Sequence, residues 1–203
     1  ENPFLYEVVL TASTDSIIIG NYGNPELKKK KYPDHLFGTS DIVTTNIGMK
    51  DFTASGQFFS LNGERYFLAG TSITLFRFFE DPDRKNLPWN EEWVKEMFIN
   101  IPKRIGWNAC RVCIGLLPDF WYDLADEYGI LLQNEYPMWQ LRGSYSQMEK
   151  EYTDWVWSDG THPSIAIWDA LNEQKSDFIG NRLIPSLLRL DPSRIWDAGY
   201  MTA

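Results

Sequence analysis

The chain has 203 residues, with 28 acidic against 19 basic side chains and a net charge of −9. A surface of that sign repels a phosphate backbone, which argues against nucleic-acid binding, and no apolar run approaches the ~20 residues of a membrane-spanning helix. Hydrophobic residues make up 43%, which argues against disorder, and nine tryptophans are more than a core usually needs: together they point to a surface or cleft that meets flat apolar faces such as sugar rings, while ordinary core and interface packing is favoured for any single one.

Residues 1–52 read as β structure. Tyr6, Val8 and Leu10 alternate with Glu7 and Thr11, although Val9 blurs the pattern, and Ile17-Ile18-Ile19-Gly20 offers a second short strand. NYGNPELKKKKYPD is turn chemistry, and its lysine run, Lys28 to Lys31, reads as a solvated turn rather than an anion-binding patch. The opening ENPFLYEVVL has no basic start followed by an apolar core and no initiator Met, so it reads as a segment of a longer chain without a visible signal peptide.

From about Phe58 the rhythm changes. QFFSLNGERYFLAGTS is a hairpin-like unit turning at Asn62-Gly63. Pro88 and Asn90 open a helix whose apolar face is Trp93, Val94, Met97, Phe98, Ile101 and Ile105, with Gly106 as its stop. Pro102 inside this pattern predicts a kink or an early end. NACRVCIG then reads as a buried strand, Pro118 to Tyr128 as a helix stopped by Gly129, and ILLQNEY as a strand. Tyr145 to Val156 reads as a helix, SIAIWDALNE as a strand, Phe178 to Leu190 as a helix and RIWDAGY as a strand.

This alternation predicts βα units around a parallel sheet, with β units near Phe67, Arg111, Leu132, Trp168 and Trp196. A complete (β/α)8 barrel needs eight such units and ~250 residues, so either the sheet is open or the barrel is truncated. Cys110 and Cys113 are three apart on a strand and point to opposite faces, so they read as free thiols rather than a disulfide or zinc ligands.

In a parallel barrel, functional groups collect at the C-terminal ends of the strands. Those ends offer Asn108 and Arg111, then Asn134, Glu135, Tyr136 and Trp139, then Asn172 and Glu173, then Asp197 and Tyr200. Carboxylates and amides beside aromatics suit polyhydroxylated ligands. Partial burial of Glu173 after an apolar strand predicts a raised pKa and a carboxyl able to protonate a glycosidic oxygen, although an Asn-Glu pair by itself is common and more often just a helix start. Asn172 beside it can hold a sugar hydroxyl without adding a charge. Asp169, four residues earlier on the same strand, is expected roughly 13 Å from Glu173 and is not its partner.

These motifs resemble glycoside hydrolase family two, the β-galactosidase, β-glucuronidase and β-mannosidase group, over nearly the whole chain. NPFLY at 2–6 and Phe37-Gly38 are similar to that family's immunoglobulin-like domain. FSLNGERYFLAGT at 59–71 is similar to its entry into the barrel, GWNACRV at 106–112 to its Asn-x-x-Arg second strand, and DFWYDLADEYGILLQNEYP to the helix and third strand. HPSIAIWDALNE at 162–173 is similar to the acid/base strand, and LDPSR at 190–194 to the segment that follows.

The resemblance implies an α/β fold: a truncated (β/α)8 TIM barrel over 53–203, preceded over 1–52 by the C-terminal part of an immunoglobulin-like β-sandwich. It implies a retaining, exo-acting β-glycosidase in which Glu173 is the general acid/base, Asn172 binds the sugar 2-hydroxyl and Arg111 steadies the nucleophile. Glu135, Trp139 and Trp168 are candidate sugar contacts, with core packing favoured for Trp168 and a rim hydrogen bond without ligand an equal alternative for Glu135; for Arg111 the alternative is a salt bridge inside the barrel. The nucleophilic Glu of the seventh strand is expected beyond Ala203, so the piece alone is expected to be inactive and, with unpaired strand edges, to aggregate or to associate with its missing half. The chemistry requires no cofactor, and by analogy some relatives bind a divalent cation near the site. The expected partner is a β-glycoside substrate. A homo-oligomer of the full-length protein and a periplasmic or extracellular setting follow by analogy alone.

The chain departs from the family in three places. Ala69 stands where the family has Arg before Gly70, ITLFRFFEDP lacks the His that follows, and CIGLLPD lacks a Ser-His-Tyr-Pro run. These departures imply altered recognition of the terminal sugar. Two other readings stay open: a carbohydrate-binding or scaffold module without catalysis, and an endo-acting glycanase of the same barrel clan, against which the lead-in at 2–38 argues.

Overall fold

The computed structural model describes residues 3–13, 40–115, 117–140 and 143–199. The strand expected at Ile17–Gly20, the lysine run, Phe37-Gly38 and Tyr200 lie outside the described residues. The chain divides into two units, Tyr6–Ile47 and a larger one made of Glu1–Leu5 and Gly48–Ala203. In the smaller unit, β1 (Leu5–Ser13) pairs with β2 (Ser40–Gly48).

In the larger unit, β3 (Phe52–Ser55), β4 (Phe58–Leu61) and β5 (Glu64–Tyr66) form an antiparallel sheet. The β4–β5 hairpin turns at Asn62-Gly63 as expected, with φ of 53° and 86°, values that Asn tolerates and Gly adopts freely. Then β6 (Gly70–Ile73), β7 (Ala109–Val112), β8 (Leu131–Glu135), β9 (Ile165–Asp169) and β10 (Ile195–Asp197) form a five-stranded sheet, parallel throughout, ordered β10-β9-β8-β7-β6. The α/β reading is thus correct, but the first strand starts at Gly70 and not around Phe67, which is exposed. Gly70 belongs in the sheet because a Cβ there would stand 1.8 Å from the Ala109 carbonyl oxygen.

One face of this sheet carries Val112, Leu132, Ile165 and Trp168 into the main core. They meet Trp121 and Ala125 of α4 (Asp119–Tyr128) and Tyr152 and Trp155 of α5 (Tyr145–Asp159). Trp168 is fully buried, and its indole N–H donates to Asp191 at 2.7 Å, which makes it a core residue as favoured. On the other side, Leu131, Ala166 and Ile167 cluster with Phe52, Phe59, Leu61 and Tyr66 of the antiparallel sheet. A bulge interrupts the β8–β9 register: Leu132 pairs with Ile165 but Gln133 with Ile167, which leaves Ala166 extra. The bulge sets Glu135 opposite Asp169. Without it Glu135 would face Trp168.

Helix α1 (Phe76–Phe79) is a single turn. Next, α2 (Glu91–Val94) is capped by Asn90, whose side chain accepts from the Trp93 N–H at 2.9 Å. It runs through a wider π-helical turn, Lys95–Asn100, into α3 (Ile101–Arg104). Where a kink or an early end is expected at Pro102, the helix widens into this turn just before the proline and then runs on only to Arg104. Ile101 N–H donates to the Glu96 carbonyl five residues back, and the widened turn takes away the carbonyl that the proline ring would strike. The same device recurs before Pro185: Ile184 N–H donates to the Ile179 carbonyl at the end of the π-helical turn Ile179–Leu183, which leads into α6 (Ile184–Leu187).

Candidate active site

Side chains alternate along a strand, so Arg111 of β7 shares a face with Gln133 and Glu135 of β8 and Asp169 of β9, through the pairs Arg111↔Gln133 and Glu135↔Asp169. Arg111 gathers the group. Its Nη2 donates to the Glu135 carboxylate and, at 2.8 Å, to Asn172 Oδ1, while its Nε donates to Asp169 Oδ2 at 3.3 Å. Gln133 Nε2 donates to the same Asp169 oxygen at 2.7 Å. The second oxygen of Glu135 accepts from the Ile114 N–H. Ile114 has φ 50°, a conformation a β-branched residue rarely adopts, and it aims this N–H at a carboxylate that is wholly buried.

The row Glu135, Asp169 and Asp197 lies in register across three strands. Burial pushes Glu135 up to about 7, against the pull of Arg111 and with the push of the Asp169 charge. Burial and the charge of Asp197 also raise Asp169, against the hydrogen bond from Gln133 and the charge of Arg111. One guanidinium does not offset three neighbouring carboxylates, so the cluster retains a proton near neutral pH.

The strand expected to run through Glu173 stops at Asp169. Ala170 N–H then donates to the Asp197 carbonyl at 2.9 Å and Asn172 N–H to the Met138 carbonyl at 3.1 Å. The chain thereby turns, and one guanidinium holds both Asp169 and Asn172. The straight-strand separation of Asp169 and Glu173 does not apply. The partial burial expected of Glu173 is also corrected: the turn carries it out to solvent, in left-handed backbone with φ 48°. Trp139 follows Met138, the residue tied to Asn172, and is 46% exposed.

The structure thus joins Arg111, Glu135 and Asn172 in one network and places Trp139 and Glu173 on the adjoining turns. Asn108 stands at the opposite end of its strand, where its side chain bridges the Phe67 carbonyl and the Ala69 N–H, each at 2.9 Å. Gln133 and the Arg111–Asp169 pair escaped the sequence. A period-two count back from Glu135 identifies Gln133, whereas the position of Asp169 depends on the bulge at Ala166.

Among the described residues, one histidine–carboxylate group has metal-ligand proximity, Asp123, Asp126 and His162, within 4.8 Å. Both oxygens of Asp126 are in use, on His162 Nδ1 and on the Ser164 N–H, each at 2.7 Å, and they organise the entry to β9. Cys110 and Cys113 are free thiols, and burial raises both, Cys110 up to about 12.

No family model matches the chain. Beta-galactosidase BgaC of Bifidobacterium adolescentis is 27% identical over 173 residues, 76% of this chain and 16% of its own. Beta-glucuronidase of Parabacteroides merdae has the same fold, with a TM-score of 0.69 and 22% identity over 96% of this chain and 23% of that one. A GH2 beta-galacturonidase of Eisenbergiella tayi, solved with galacturonate bound, gives a TM-score of 0.61 and 25% identity over 77% of this chain and 29% of its own. This chain therefore spans 16% of that curated relative and less than a third of either solved chain.

The parallel sheet and the helices packed on it define the class of fold, a parallel α/β fold with a carboxylate-bearing edge. Within that class the chain resembles glycoside hydrolase family two, as its motifs indicate and its relatives bear out.

Proposed function

We infer that the chain is the acid/base-bearing part of a retaining, exo-acting β-glycosidase that hydrolyses O-glycosidic bonds. The observation that carries this reading is the grip of Arg111 on Glu135, Asp169 and Asn172 beside the exposed Glu173. In this reading residues 53–203 form the first part of a (β/α)8 barrel and residues 1–52 the end of an immunoglobulin-like β-sandwich. The nucleophile is a carboxylate outside these residues, set ~5–5.5 Å from Glu173 as retention requires.

Glu173, as the acid, protonates the leaving oxygen as the glycosidic bond breaks. As a carboxylate it then takes a proton from the water that releases the sugar from the nucleophile. Arg111 occupies the amide oxygen of Asn172, so the amide NH2 is the group left to meet the sugar 2-hydroxyl. Arg111 also presents positive charge that steadies the nucleophilic carboxylate, and Trp139 offers an aromatic face to the sugar ring. The reaction draws on no cofactor.

The test is hydrolysis of 4-nitrophenyl β-D-galactoside, β-D-glucuronide and β-D-mannoside by the complete protein bearing this chain, with the anomer of the product followed by NMR. We expect retention of configuration and a loss of about 10²–10⁴ in kcat in Glu173→Gln. Unchanged turnover in that variant, or an inverted product, overturns the reading.

A further inference from the structure

A cleft lies at the same end of the parallel sheet as the Arg111 network. Tyr145 opens α5, which follows β8, and Phe178 stands at the start of the helical run that follows β9. In a βα unit the helix begins at the end of the sheet where its strand finishes, so both aromatics stand at the edge that carries Glu135 and Asn172-Glu173. Their rings stack, with centroids 4.2 Å apart and planes 11° from parallel. Tyr145 is 59% exposed, so the pair presents an open aromatic face. Tyr145, Asp177, Phe178, Asn181 and Arg182 line a cleft of about 380 Å³.

We propose that this cleft is a saccharide subsite on the leaving-group side of Glu173, which takes a further sugar of a β-linked oligosaccharide. The proposal rests on the glycosidase reading above and gives its substrate class. An aromatic face packs on the C–H face of a pyranose, and a carboxylate, an amide and a guanidinium around it supply acceptors and donors for the ring hydroxyls. Asp177 and Asn181 are four residues apart and share a helical face, and Arg182 lines the same cleft. All three are exposed, and among the described residues none of their side chains engages in a hydrogen bond or ion pair. Asp177 stands in the first turn of the helical run, none of the three side chains belongs to the core, and a polar ligand is a partner their chemistry fits. Glu173 and Phe178 are five residues apart, at most about 18 Å of extended chain, which is within the span of a short oligosaccharide bound at the acid/base.

The experiment compares, in the complete protein, kcat/KM for β-linked galactobiose, mannobiose and cellobiose with kcat/KM for the 4-nitrophenyl monoglycosides. The variants are Tyr145→Ala and the exposed Arg182→Ala, with Trp157→Ala, 71% exposed on the same helix, as control. We expect the disaccharide-to-monoglycoside ratio to fall about tenfold in the first two, through KM, and to hold in the control. No fall, or an equal loss on both substrate types, overturns the subsite while the glycosidase reading stands. If the protein turns over neither substrate type, saturation-transfer NMR of the same disaccharides decides. Binding lost in Tyr145→Ala keeps the subsite and removes the glycosidase reading, and absence of binding removes the subsite as well.

Discussion

Arg111 and Asn172 meet at 2.8 Å across 61 residues of sequence, the guanidinium donating to the amide oxygen. This contact joins β7 to the turn after β9 and occupies the oxygen end of the amide. The guanidinium is also the charge that two buried carboxylates depend on.

Arg111→Ala leaves Glu135 and Asp169 buried without their cation, so it should cost about 3–5 kcal/mol in urea unfolding. Adding Glu135→Gln to that variant should restore part of the loss, because it removes one of the stranded charges. Arg111→Lys should fall between, since one ammonium does not hold three acceptors in a planar fork. Equal stability of Arg111→Ala and the parent would show that the network contributes nothing.

Stability should fall as pH rises through the neutral range. The pKa of Glu135 in the fold is about 7, above the ordinary 4.5, so between those values the folded state binds the extra proton and loses its advantage as the proton leaves. His162 acts in the same direction. Burial alone lowers its pKa, but the hydrogen bond and charge of Asp126 outweigh burial and raise it, so its contribution is complete below 6.5 and disappears as pH climbs through the raised value. Thermal melts at steps from pH 5 to 8 should show a declining midpoint, and Glu135→Gln should flatten the decline. A midpoint that rises over that range would contradict both assignments.

The acid limb should belong to Asp191. Burial raises this carboxyl, but bonds from Ser193, Trp168 and Arg194 outweigh it and hold it below the usual carboxylate range. Its stabilisation is therefore present above pH 3.8 and is lost as pH falls through the depressed value. Asp191→Ala would also release Arg194, whose guanidinium spans the carbonyls of Ile165, Gly160 and His162, and should cost about 3–5 kcal/mol at pH 6 in denaturant titration.

Glu173→Gly should trade activity for stability. A non-glycine residue in left-handed backbone carries about 1 kcal/mol of strain, and glycine relieves it. The melting midpoint should rise while β-glycoside turnover disappears. A fall in the midpoint would show that the side chain makes compensating contacts.

The βα alternation was legible because each helix repeats its apolar residues on one face and each strand is a short apolar run. Gly129 ends α4 at φ 72° where its position predicts. The site was legible as a set of strand ends, and Arg111, Glu135 and Asn172 do meet. What stayed hidden arises between strands. Nothing around Ala166 marks it as the extra residue that brings Asp169 opposite Glu135, because the bulge is defined by the partner strand. Nor does WDALNE announce that its strand stops at Asp169, since the hydrogen bonds that bend it come from Met138 and Asp197 on neighbouring segments.

The two wide helical turns tie insertion length to proline position. In each, the residue just before a proline, Ile101 or Ile184, reaches the carbonyl five back. Deleting one residue from Lys95–Asn100 would restore an ordinary ladder and drive the Pro102 ring into it, and it would rotate everything upstream by about 100° about the helix axis. Replacing Pro102 alone would leave a surplus residue with no obstacle to accommodate. Extra residue and ring are therefore a matched pair in these helices, and length changes there are tolerated only when both are altered together.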